Sequence, residues 1–195
     1  IFIFLVIFIG LRHEVGADWF QYMTHLYSDP IEYLRDRPGY FLITSLVQKY
    51  NWGIYGINLL TAAIFSFGLI YFCRNLRNPN FALISSYPYF IVVVAMGLVT
   101  QSCSLGFEMI GLTFYQKKNL LGFIVMISIA STFHNTSLVL LSIPLIDNLL
   151  SLKKKAILIS CLLIIPLAYF VPLYYSFMLG EYEYFFRTSP ILELL

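Results

Sequence analysis

Residues 54–73 read "IYGINLLTAAIFSFGLIYFC", twenty positions without one ionised side chain. A helix that crosses a bilayer needs about 20 mostly apolar residues, so this stretch predicts a transmembrane helix. Residues 156–179, "AILISCLLIIPLAYFVPLYYSFML", meet the same requirement. So do residues 81–99, "FALISSYPYFIVVVAMGLV", with a kink expected at Pro88 because proline removes a helix hydrogen bond. Residues 1–11 read as the end of another span. Shorter apolar runs at 102–116, 120–133 and 136–150 suit tilted, short or re-entrant segments. The expectation is an all-α, polytopic membrane bundle of about seven segments.

Composition agrees. The chain of 195 residues is 59% hydrophobic and 11% charged, against about 25% charged in an ordinary soluble domain. A soluble fold of this size could not cover so much apolar surface. Nucleic acid is not an expected partner, because the Lys and Arg residues form no basic stripe. Cys73, Cys103 and Cys161 lie in apolar runs without CxxC spacing and read as small buried hydrophobes. No metal or cofactor is expected: HExxH, GxSxG and Walker patterns are missing, as is any zinc-type spacing. No signal peptide is seen. The chain reads as a fragment, one membrane domain over 1–195 that opens inside an apolar run and stops at "SPILELL".

Charge then orients the spans. With Arg74 and Arg77 in the cytoplasm, counting crossings puts Lys117, Lys118 and Lys153–Lys155 there too, as the positive-inside rule requires. Residues 12–53 then form a large extracytoplasmic loop holding nine of the chain's 22 charged residues. Within it, "DWFQYMTHLY" spaces Trp19, Tyr22, Met23 and Leu26 as a helix with Asp18 at its N-cap. "PGYFLITSLVQKY" starts a second with Pro38 in its first turn. Both are expected at, or dipping into, the outer surface.

Four sets of residues could carry chemistry. Arg12, Glu14 and Asp18 cluster just after the first apolar run; an arginine there is either an anion ligand or an anchor that snorkels to the interface. "RDRPGY" (35–40) flanks an acid with two arginines at a rigid turn, which suits a diphosphate or makes an exposed ion pair of little worth. His134, in "ASTFHNTS", is a site residue or a polar turn bonded to Asn135 or Thr136. Glu108, an acid inside an apolar run, is a site hypothesis by default.

In order along the chain, "GLRHEVGADWFQY" (Arg12, Gly16, Asp18, Tyr22), "RPGY" (37–40), Met96-Gly97 with Gln101, and Phe133-His134 with Thr136 resemble the EpsG-like family. These membrane proteins of bacterial exopolysaccharide and capsule assembly are related in kind to Wzy polymerases. The chain departs from the family pattern twice: Arg37 stands where an acid precedes Pro-Gly, with Asp36 one place earlier, and Thr100 stands where an arginine precedes Gln101.

The resemblance implies an enzyme of glycosyltransferase type in the bacterial cytoplasmic membrane. It would polymerise lipid-diphosphate-linked oligosaccharide repeat units on the outer face, alongside other assembly and export proteins. Arg12, Arg35 and Arg37 would hold the diphosphate, with Glu14 beside them. Asp18 or Asp36 would be the acid–base or orienting carboxylate, His134 and Gln101 would complete the site, and Tyr22 and Tyr40 would stack on sugar rings. The alternative is a non-catalytic transporter, flippase or scaffold of the export system.

Overall fold

A computed structural model describes residues 1–16, 19–27 and 37–149. The described residues form helices and no strand: α1 (Phe2–Gly10), α2 (Trp19–Tyr27), α3 (Pro38–Tyr50), α4 (Gly53–Arg74), α5 (Pro79–Ser86), a π-wound segment (Tyr87–Ala95), α6 (Val99–Gln116), α7 (Leu120–Ser131), a 3-10 run (Asn135–Leu141) and α8 (Ser142–Leu149). Two compact units are distinguished, Ile1–Ser142 and Ile143–Leu195; the span expected at 156–179 lies outside the described residues.

The opening stretch is the centre of the first unit. α4 has 22 residues, about 33 Å at 1.5 Å per residue, enough to cross the hydrocarbon of a bilayer. Among the described residues it is the one helix long and apolar enough to do so. The seven-segment count is thus not reproduced there: Pro79–Ala95, Leu120–Ser131 and Asn135–Asp147 are apolar but shorter. Proline and polar turns account for the shortening. Pro79 starts α5, and the kink expected at Pro88 takes the form of a change to π winding, with Pro88 in the first turn of the wider coil.

α1 packs on α4, with Gly10 pressed against Leu59. α6 runs beside α4 in the same direction, and the two approach so closely at Gly68 and Gly106 that a Cβ on either would meet the other helix's backbone. α7 returns along α6, as the contacts Tyr115–Phe123 and Phe107–Phe133 require. α2 and α3 form at the expected positions, Pro38 opening α3. They drive Trp19, Tyr22, Tyr40, Ile43 and Val47 into one core with Ile54, Ile57, Val99, Cys103 and Phe133.

This arrangement gathers one set of turns at one end of the bundle: the end of α1, the starts of α4 and α6, and the end of α7. Basic groups collect at the other end, where Lys117 lies over the Tyr71 ring, its Nζ 3.5 Å from the Tyr71 hydroxyl, one turn from Arg74.

Candidate functional site

The four motifs, far apart in the sequence, converge at that first end. Gly16 sits at φ +103°, which L side chains rarely adopt, and a Cβ there would lie 2.8 Å from the Gly97 Cα. The first motif therefore seats directly on Met96-Gly97. From α2, the Tyr22 hydroxyl lies 3.3 Å from the Thr100 hydroxyl and accepts from the Thr100 amide at 3.4 Å. The Tyr22 ring meets Tyr40 edge-on, centroids 5.6 Å apart. Gly39 closes the circuit: its amide donates to the Thr132 carbonyl at 3.0 Å, and a Cβ there would press on Thr132 and the Phe133 ring.

Arg12 enters this assembly as a buried cation, 5% exposed. Its Nη1 donates to the Ile9 carbonyl at 2.9 Å, one of the carbonyls that a helix C-terminus leaves unpaired, where the helix dipole favours positive charge. Its Nε is buried without a hydrogen-bond partner. Burial pushes the guanidinium down from its ordinary value to about 10, and the neighbouring Tyr22 phenol opposes that fall, so Arg12 stays charged at neutral pH. A snorkelling anchor keeps its head in water; Arg12 does not. A desolvated guanidinium with unused donors is suited to an anion, which it can grip with two parallel hydrogen bonds.

The other candidates are distributed less tightly. Tyr22 and Tyr40 are 4% and 1% exposed, so their rings serve as packing in this conformation and offer no open face to a sugar. Gln101 is partly buried in the first turn of α6, beside Thr100, and Arg37 is partly buried just before α3. Glu14 is exposed, at a positive φ of 52°. His134 is partly buried and extended; its carbonyl accepts from the Ser137 amide at 3.1 Å, so the turn is tied to Ser137 where Asn135 or Thr136 was expected. Asp18, Arg35 and Asp36 lie outside the described residues.

Glu108 is satisfied within the bundle. Its Oε1 accepts from Ser104 at 2.8 Å and from Ser137 at 2.6 Å, and the two hydroxyls touch each other. Because the Ser137 amide donates to the His134 carbonyl, the carboxylate fastens α6 to the turn that carries His134. Several polar groups carry no spacing signal in the sequence. Ser104 and Ser137 are two of them, and Asn58 is a third, fully buried in α4 with neither amide atom bonded. A fourth group is the ring cluster of His13, Trp19 and Tyr55. A lone polar residue in an apolar run was the only available sign for Asn58.

Among the described residues no group of His, Cys, Asp and Glu could hold a metal ion. In comparisons with known proteins, residues 1–190 match the model of the EpsG family. No curated protein and no solved structure matches the chain.

Proposed function

This chain belongs to the EpsG family, membrane proteins of polysaccharide assembly, and from that premise we propose that it is a polymerase of lipid-diphosphate-linked repeat units. The observation that carries the reading is Arg12, a charged, buried guanidinium with an unbonded Nε at the point where the four motifs meet. Joining two glycans requires stabilising the departing lipid diphosphate and orienting, or deprotonating, the incoming sugar hydroxyl. Arg12 fills the first role, joined by Arg35, Arg37 and Glu14. Asp18 or Asp36 fills the second, with His134 and Gln101 at the margin of the site. This end of the bundle faces outward in the positive-inside reading, with Arg74, Arg77, Lys117 and Lys118 on the cytoplasmic side.

Purified protein in detergent, given lipid-linked repeat units, is expected to produce a ladder of longer glycans, and Arg12→Ala to leave single units. Lengthening a glycan without a sealed membrane is beyond a transporter or scaffold. Failure of well-folded wild-type protein to extend any unit would overturn the reading.

A further inference from the structure

Beside this site lies a ring assembly that the polymerase chemistry does not use. His13 Nδ1 and the Tyr55 hydroxyl are 2.7 Å apart. Their ring centroids are 6.3 Å apart and the planes differ by 21°. A hydrogen bond through the phenol oxygen at that separation puts the rings side by side rather than face on face. Together they make one nearly flat surface about two rings long. Trp19 stands edge-on to both, at 72° to His13 and 62° to Tyr55, with centroids 5.6 and 6.3 Å away.

Trp19 is only 6% exposed and belongs to the core, so it supports the surface from within. The surface itself is open: the His13 side chain is 67% exposed and Tyr55 39%. At its rim the Glu14 carboxylate stands 3.7 Å from His13 Nε2, also exposed, on the left-handed backbone just before Gly16. A flat aromatic surface fits the apolar C–H face of a pyranose, and a carboxylate at its edge accepts from the ring's equatorial hydroxyls.

We propose that His13 and Tyr55, backed by Trp19 and edged by Glu14, bind a pyranose ring of the glycan. The choice of glycan as ligand rests on the polymerase reading; the shape and chemistry of the surface do not. Tyr22 and Tyr40 are buried, so the sugar-stacking role expected of them passes to this exposed pair.

The test uses the full chain in detergent micelles and saturation-transfer NMR with methyl pyranosides of glucose, galactose, mannose, rhamnose, N-acetylglucosamine and N-acetylgalactosamine. At least one is expected to receive saturation on the C–H protons of one ring face. His13→Ala and Tyr55→Ala should each weaken that binding about tenfold, and Tyr55→Phe, which keeps the ring and loses its bond to His13, by less. In a Trp52→Phe background the same sugar should change Trp19 emission, a readout that needs no change in the platform itself. Arg12→Ala should stop polymerisation and leave this binding unchanged, which separates failure of the platform from failure of the polymerase reading. No saturation transfer from any sugar, or binding that His13→Ala and Tyr55→Ala leave at wild-type strength, would overturn the proposal and reduce the rings to an interfacial anchor.

Discussion

Arg12→Met separates a residue kept for function from one kept for stability. Methionine preserves a long unbranched side chain and removes the charge. Burial lowers the Arg12 guanidinium from its ordinary value to about 10, which corresponds to about 3 kcal/mol against folding. Against this, Arg12 gains one hydrogen bond to the Ile9 carbonyl at the end of α1, worth about 1–2 kcal/mol with the helix dipole included. The substitution should therefore leave stability unchanged or raise it by about 1–2 kcal/mol, a net of those two figures. The sign in pH follows from the depressed value. Below about pH 10 the group is charged whether folded or unfolded, so the cost is constant; above it the folded state releases the proton before the unfolded chain does, and stability rises. The assay pairs thermal melting in detergent with polymer length in a strain whose own copy is deleted. The expected result is a melting temperature equal to or above wild type with no long polymer. Arg12→Lys should also fail to polymerise fully, because an ammonium lacks the planar fork. Polymer of normal length from Arg12→Met, at wild-type protein levels, would refute the reasoning.

Gly16→Ala forces a side chain onto a φ of +103° and into the Gly97 backbone; it should lower stability by about 1–3 kcal/mol, measured by melting of the purified protein. Tyr22→Phe removes the hydroxyl that meets Thr100 and keeps the ring on Tyr40, so a loss of about 0.5–1.5 kcal/mol with shortened polymer is expected, read by melting and by gel ladder. Glu108→Leu leaves the Ser104 and Ser137 hydroxyls without their acceptor and should cost about 1–3 kcal/mol. Glu108→Gln keeps an oxygen in the same place and should melt close to wild type; equal losses in both would show that the charge, not the acceptor, holds the turn.

What the sequence could and could not reveal follows from the range of the forces involved. α4 was legible because twenty consecutive residues without charge leave few alternatives, and α3 because Pro38 fixes its first turn. The segment count was less legible, because a hydropathy window does not register that Pro88 changes the winding or that α6 carries Thr100, Gln101, Ser102, Ser104 and Glu108 across its turns. The order of the motifs was visible, but their contacts were not: Gly16 meets Gly97, and Gly39 meets Phe133, only after α4, α6 and α7 have packed. The same limit explains the exchange of roles among the aromatic residues. Tyr22 and Tyr40 lie in a stretch rich in charge, which suggests exposure, yet tertiary packing buries both. His13 and Tyr55 stand 42 positions apart with no common motif, and packing of α1 on α4 lays them edge to edge at the surface. Arg12 shows the reverse case. Its position after an apolar run allowed either an anchor or a ligand, and the desolvation of its guanidinium is what supports the proposed ligand role. An anchor gains nothing from burial that water would not supply, whereas an anion site gains the strength that a low-dielectric surrounding gives to each hydrogen bond.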